Sequence, residues 1–249
     1  MKILLNGICG RMGREVEKLA LTGYRGAELV GGVDPSGGAA SVPVFPDFDA
    51  VDVEFDCIVD FSFHTAAPAL CEYAKKVGKP VIIATTGHND GENEIIKETA
   101  KSVPVFKSAN MSLGIALLAE LAKTAAKTFP EADIEIIEKH HNRKADAPSG
   151  TALLLANAIK KVREKAFFVF GRSGQCKRQE DEIGIHAIRM GNIVGEHEVI
   201  IGTDTQTITL KHEAASRSLF AEGAIAAAEF IIGREAGMYD MNDLIALNA

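Results

Sequence analysis

The first part of the chain alternates short apolar runs with amphipathic spacings. Lys2 to Asn6 is an apolar run that stops at Gly7-Ile8-Cys9-Gly10-Arg11-Met12-Gly13. Helical spacing follows through Val16, Leu19 and Ala20. A second run, Glu28 to Val33, ends at Asp34. Further strands are predicted at Cys57 to Phe61, Pro80 to Ala84 and Val103 to Phe106. Between them lie helices through Ala67, Leu70, Ala74 and Val77 and over Glu94 to Lys101. Strands alternating with helices imply a parallel sheet with right-handed crossovers. The strand ends Gly7–Gly13, Asp34, Ser62, Thr85-Thr86 and Ser108–Asn110 then share the edge where such sheets bind ligands. One ligand could touch them all.

The pattern changes after Ser112. A helix rich in Ala and Leu is predicted over Leu113 to Phe129, and an alternating strand over Asp133 to Glu138. Ser149-Gly150-Thr151 opens an apolar helix, Ala152 to about Val162. Then come the run Phe167 to Phe170, a polar loop from Gly171 to Asp181, and three long β-type segments. These are Ile183 to Met190, Val194 to Gly202 and Gln206 to His212, and they lack intervening helices. They predict an antiparallel or mixed sheet in a second, α+β domain. Its length suggests an exposed flat apolar face that favours subunit association. The last helix, Ser218 to about Ile232, is apolar on most sides and is expected to be buried, returning to the first domain.

Composition narrows the function classes. A chain of 249 residues, 47% hydrophobic, can bury a large core in one or two domains. The net charge of -7, with no basic tail, argues against a nucleic-acid partner. No stretch approaches the roughly 20 apolar residues of a membrane span. After Lys2 the apolar run breaks at Asn6-Gly7, unlike a signal peptide. Cys9, Cys57, Cys71 and Cys176 have no paired spacing and read as reduced, mostly buried thiols of a cytoplasmic protein.

Two segments carry candidate chemistry. Strand, glycine turn, helix, strand and acidic residue is the context of a dinucleotide site. Gly7 allows the tight turn, Gly10 lets backbone approach a pyrophosphate, and Gly13 lets helix and strand pack closely. Asp34 lies about 20 residues past the turn, where a carboxylate accepts hydrogen bonds from an adenosine ribose. A strand-end Asp in the turn Pro35-Ser36-Gly37-Gly38 is the bland alternative. No cation stands among Pro35 to Ser41, and a 2′-phosphate would be repelled by Asp34. NADH is therefore the expected cofactor, with NADPH usable. The second segment is Glu138 to Ala152, with His140, His141, Arg143 and Lys144 within five positions. Asp146 and Pro148 mark a turn, Ser149 is a plausible N-cap, and the N–H groups of Gly150 and Thr151 form an anion nest. Together these suggest a site for an acidic substrate. Arg143 has the alternative of a surface pair with Glu138 or Asp146. His88, His186, His197 and His212 read as structural, and no His/Cys/Asp spacing suggests a metal.

With these residues together the chain resembles the bacterial 4-hydroxy-tetrahydrodipicolinate reductase family, also called dihydrodipicolinate reductase, of lysine and diaminopimelate biosynthesis. The most specific likeness is His140-His141, Lys144 and Asp146 to Ala152. Gly7 to Gly13, Thr85-Thr86-Gly87, Ser108 to Ser112, Val194 to His197, Ser216-Arg217 and Phe220 to Ala224 support it. Departures are Cys9 where relatives often have Gly, Ala116 where they often have Asn, and no Arg after Asp34.

The resemblance implies an α/β enzyme, a homotetramer that reduces a cyclic dicarboxylate with NAD(P)H. It implies a Rossmann-like parallel-sheet domain, 1–111, with segment 217–249 packed back onto it. An α+β domain with a mixed sheet, 112–216, would bind substrate and build the tetramer. His140 matches the proton donor, Lys144 the assisting cation, and His141, Gly150 and Thr151 the substrate contacts. Gly7, Ile8, Cys9, Gly10, Arg11, Met12 and Asp34 match cofactor positions on the diphosphate and ribose side. Ala84, Thr85, Thr86, Ser108, Ala109, Asn110 and Met111 match positions near the nicotinamide. Another two-domain NAD(P)-dependent reductase would explain the glycine turn but not the His-His segment. A non-catalytic dinucleotide-sensing module would need neither His140 nor Lys144.

Overall fold

A computed structural model describes residues 1–246 of the chain. It divides into two compact units. The first comprises Met1–Leu113 and the segment from Arg217 onward, and the second Gly114–Ser216. The last three residues of the expected returning segment 217–249 lie outside the described residues.

The first unit is a parallel sheet of seven strands. They are β1 (Lys2–Asn6), β2 (Glu28–Val33), β3 (Val44–Phe45), β4 (Cys57–Asp60), β5 (Val81–Ile83), β6 (Pro104–Lys107) and β12 (Gly237–Tyr239). Their spatial order is β12-β6-β5-β4-β1-β2-β3, so the chain reverses direction across the sheet between β1 and β4. This is the Rossmann-like arrangement, and its switch point is where dinucleotides bind. The central strands read as unbroken apolar runs because helices cover both faces. On one face Leu4, Ile58, Val81, Ile83 and Val105 pack with Leu70 and Ala74 of α2 (Ala67–Val77) and Ile96 of α3 (Asp90–Thr99). Against the other face lie α1 (Arg11–Leu21) and α6 (Ser218–Ile231), which also pack on each other. Gly223 lets α6 come close to the segment after β6: a Cβ there would sit 1.6 Å from the Met111 carbonyl oxygen.

The second unit is a mixed five-stranded sheet in the order β11-β10-β7-β9-β8. Here β7 is Asp133–His140, β8 Phe167–Phe170, β9 Glu182–Arg189, β10 Gly195–Gly202 and β11 Thr207–Ala214. β7, β8 and β9 run parallel, and β10 is antiparallel to β7 and β11. Ile134, Ile136, Ile183, Ile185, Val199 and Ile201 face one way. They pack under Leu118 and Ala122 of α4 (Leu113–Thr128) and Leu155 and Ile159 of α5 (Gly150–Lys160).

Several expectations are corrected. The other face of this sheet is not flatly apolar. Ile137 and Ile200 are flanked there by ion pairs of Lys139 with Glu196 (2.9 Å) and His186 with Glu135 (2.7 Å). The helix expected from Glu94 starts four residues earlier, at Asp90. The Asn89 side chain accepts the Glu92 N–H while Glu92 accepts the Asn89 N–H, a capping box. β3, β12 and α7 (Met241–Ala246) were not expected; strands of two and three residues carry too little pattern to register. Cys57 and Cys71 are buried, with burial pushing Cys57 up to about 12, but Cys9 is half-buried and Cys176 exposed.

Candidate functional site

In the first unit the predicted nucleotide residues gather at the carboxyl ends of the strands. Gly7 has φ of 81°, and its N–H donates to Val33 O at 2.8 Å, joining the ends of β1 and β2. A Cβ at Gly7 would lie 2.7 Å from the Phe61 carbonyl, and one at Gly13 only 2.3 Å from the Gly7 carbonyl. α1 starts at Arg11, with Gly10 as N-cap and no side chain satisfying its first N–H groups. An uncapped helix start behind a loop bounded by Gly7 and Gly10 fits a diphosphate. Arg11 and Met12 open this helix; Arg11 is exposed.

Asp34 follows β2 and is largely buried. Its Oδ2 accepts the Cys9 N–H at 3.0 Å and its Oδ1 the Ser36 N–H at 3.1 Å. Ala84, Thr85 and Thr86 follow β5; Thr85 is buried and Thr86 exposed. Ser108, Ala109 and Asn110 follow β6, where the Ser108 hydroxyl donates to Asn110 O at 2.7 Å and the Asn110 side chain accepts the Ser112 N–H at 2.9 Å. The side chains of Ile8 and Met111 point into the core, so these two predicted contacts are left to their backbone. Ile8 fills the space above Gly32, where a Cβ would come within 2.5 Å of it. Under the strand ends Asp60 is buried, its Oδ1 accepting from Asn6 Nδ2 at 2.8 Å and the Ser62 hydroxyl at 2.5 Å. Burial raises its pKa, opposed by these hydrogen bonds.

The second unit brings the His-rich segment together around Glu138. β7 alternates, so Glu138 and His140 share its inner face. Register places His197 of β10 beside Glu138, and Arg189 of β9 beside His140. Glu138, fully buried, accepts from His140 Nδ1 at 2.6 Å, from the Ser149 N–H at 2.9 Å, and from Arg189 at 2.7 and 2.8 Å. Burial pushes its carboxyl up, but the His140, Arg189 and Ser149 hydrogen bonds win and hold it at about 2. The carboxylate therefore stays ionised and fixes the imidazole through Nδ1. Beside Nε2 stands Gly195, where a Cβ would be 3.1 Å from that nitrogen.

His197 packs edge-on against His140, ring centroids 5.2 Å apart, with its Nε2 3.2 Å from the Ser149 hydroxyl. Burial and the nearby His140 push His197 down to about 4, so it is neutral and accepts from Ser149. Ser149 in turn caps α5, its oxygen accepting the Ala152 N–H at 3.2 Å. Gly150 and Thr151 are the first two residues of that helix, and Gly150 is exposed with open space where a side chain would stand.

The loop from His141 to Lys144 is pinned to the β9–β10 turn: His141 N donates to Ile193 O at 2.8 Å and Asn142 N to Gly191 O at 3.2 Å. Lys144 pairs with Asp146 at 2.8 Å, which holds the Asp146 carboxyl below its usual range. Arg143 pairs with neither Glu138 nor Asp146; it donates to the Asn142 and Asn192 side-chain carbonyls at 3.3 and 3.0 Å. Arg189 takes that place because it arrives in register beside His140, and it also donates to Asp146 O at 2.7 Å. Arg189 carries no signal in the sequence, and His197, which reads there as structural, meets both His140 and Ser149. The two-residue period of β7 marks Glu138 as a neighbour of His140, but no local signal predicts the partners from β9 and β10.

A switch-point glycine loop in one unit and a histidine–carboxylate pair in the other are the equipment of an NAD(P)H-dependent oxidoreductase. The sequence profile described as "Dihydrodipicolinate reductase, N-terminus" matches residues 1–111, and "Dihydrodipicolinate reductase, C-terminus" matches 114–245. The chain is 47% identical over 247 residues to the 4-hydroxy-tetrahydrodipicolinate reductase of Caldanaerobacter subterraneus subsp. tengcongensis, covering 98% of each chain. It is 45% identical to the one from Clostridium novyi, again covering 98% of each. A solved structure, dipicolinate-bound dihydrodipicolinate reductase from Paenisporosarcina sp. TG-14, aligns with a TM-score of 0.82 at 25% identity, covering 96% of this chain and 97% of that one. The chain belongs to the dihydrodipicolinate reductase family.

Proposed function

We propose that this chain reduces 4-hydroxy-tetrahydrodipicolinate to tetrahydrodipicolinate, a step of lysine and diaminopimelate biosynthesis, with His140 as proton donor. The observation that carries the role of His140 is its Nδ1 held at 2.6 Å by the buried, ionised Glu138. A nicotinamide held by the first unit would supply the hydride for C4 of the ring, from which the 4-hydroxyl is lost as water. C3 then needs a proton, and an imidazole held in place through Nδ1 suits that transfer. Lys144 offsets negative charge developing on the ring and holds a carboxylate. His141, Gly150 and Thr151 bind the carboxylates, the last two at the start of α5. That a relative is described as bound to dipicolinate, a flat dicarboxylate, supports this assignment.

The first unit, in this reading, is the dinucleotide-binding domain and the second the substrate-binding and tetramerisation domain of a cytoplasmic homotetramer. Gly7 to Met12 surround the diphosphate, Asp34 the ribose, and Ala84 to Thr86 with Ser108 to Met111 the nicotinamide. NADH is preferred because Asp34 accepts from ribose hydroxyls and repels a 2′-phosphate, and no cation lies between Pro35 and Ser41.

The test is oxidation of NADH, followed by absorbance, with substrate freshly made by a coupled synthase. Turnover that disappears in His140→Gln supports the reading, and absence of turnover in the unmodified protein refutes it. The kcat/KM for NADH and NADPH, at low ionic strength where screening is least, tests the cofactor preference. A clear NADPH preference would overturn the role given to Asp34.

A further inference from the structure

We infer that Glu17 is a specificity-determining residue: by neutralising Arg14 and latching the loop after β2, it withholds a cation from the 2′-phosphate of NADPH. The inference rests on the placement of the adenosine ribose at Asp34 given above. Glu17 is on α1 and largely buried. Its Oε2 accepts from Arg14 Nη1 at 3.0 Å, and its Oε1 accepts the Ser41 N–H at 2.5 Å. Arg14 is itself partly exposed, its side chain 37% accessible, so its charge would otherwise be available to a ligand.

The loop between β2 and Ser41 is thus held by a carboxylate at each end. Asp34 holds the Ser36 N–H at the start, and Glu17 holds Ser41 at the finish. In the middle Gly38 lies against the Cys9 side chain, where a Cβ would be 2.7 Å from Sγ. Cys9 ties the two together, since its N–H is held by Asp34 and the charges of Asp34, Arg14 and Glu17 all reach its thiol. Hydrogen bonds from Ser41 and Arg14 outweigh burial and keep the Glu17 carboxyl below its usual range, so it is ionised. Asp34 and Glu17 are thus both held to this loop, and the Arg14 guanidinium beside them is already paired with Glu17. A ribose 2′-hydroxyl needs an acceptor, which Asp34 provides. A 2′-phosphate brings nearly two negative charges and needs a cation whose partner must first let go.

Glu17→Gln keeps an oxygen to accept from Ser41 but removes the charge that holds Arg14. The experiment measures binding of 2′,5′-ADP and of ADP to the full chain by calorimetry. In Glu17→Gln, 2′,5′-ADP should tighten by about tenfold while ADP changes by less than about twofold. Adding Arg14→Gln should abolish that gain, and kcat/KM for NADPH relative to NADH should follow the same pattern. An unchanged 2′,5′-ADP to ADP ratio in folded Glu17→Gln, or a gain that survives Arg14→Gln, would overturn the proposal. Should Glu17→Gln not fold, Arg14→Gln alone decides: a selective loss of 2′,5′-ADP affinity would mean Arg14 was never withheld, and an unchanged ratio is the expected result. Tighter binding of 2′,5′-ADP than of ADP by the unmodified chain would refute the reading of Asp34, whereas the change on Glu17→Gln reports on the latch alone.

Discussion

Glu138 and His140 stand two residues apart on the inner face of β7, with a carboxylate oxygen 2.6 Å from the imidazole Nδ1. Both side chains are buried, and the same carboxylate is held by Arg189 and by the backbone of Ser149 at the start of α5. His140, the helix start and a strand from farther along the chain are therefore fixed by one group. Glu138→Gln should lower kcat by about 10- to 100-fold, less than loss of a general acid itself, which contributes about 10²–10⁴-fold. NADH affinity measured by calorimetry should not change. Full kcat in this variant would show that orientation of His140 is not limiting.

His140→Gln and Lys144→Ala should each reduce kcat by about 10²-fold or more with NADH binding retained. Both residues lie in the second unit, apart in sequence from the glycine loop. Steady-state kinetics paired with NADH titration separates this outcome from a folding defect, in which rate and binding fall together.

Pyridine-2,6-dicarboxylate should inhibit competitively with substrate, and Thr151→Val should weaken it by removing a hydroxyl from the first turn of α5. Equal inhibition by the monocarboxylate analogue would mean that only one carboxylate is recognised. Inhibition constants for the two compounds against the unmodified and variant proteins decide the matter.

Stability should fall on acidification in two stages. His197 is held neutral in the fold, its pKa depressed from 6.5 to about 4, so the unfolded chain takes up a proton first and stability declines as pH drops through that window. Glu138 is depressed from 4.5 to about 2; its contribution is complete above pH 4.5 and is lost as pH falls toward 2. Each shift corresponds to at most about 3 kcal/mol. Thermal unfolding from neutral pH downward should therefore show His197→Gln flattening the upper stage and Glu138→Gln the lower one. Profiles parallel to that of the unmodified protein would contradict these assignments.

Gly223→Ala should destabilise the protein by about 3 kcal/mol or more, since its Cβ would overlap the Met111 carbonyl and backbone cannot move aside as a side chain can. Denaturant unfolding measures this directly. A loss under about 1 kcal/mol would mean that α6 shifts away from Met111 at little cost.

The sequence by itself determined the main elements of both units and the segments where candidate chemistry gathers. Apolar runs that stop at glycine or at Asp34 read as strands buried on both faces, and the bounds of β1 and β2 were readable to the residue. Ser149 was readable as the cap of α5 because a hydroxyl before an apolar helix has one common use. His140 and Lys144 stood out because titratable groups so dense are costly without purpose. The tertiary structure decided which partners those groups have. Arg189 reaches Glu138 across 51 positions, His197 reaches Ser149 across 48, and Glu17 reaches Ser41 across 24. Such pairs follow from strand order and register, which depend on how whole faces pack rather than on any local pattern. The same holds for Arg143 and Arg189. Both are arginines near an acidic segment, and only the pairing of β7 with β9 places the second, and not the first, against the buried carboxylate.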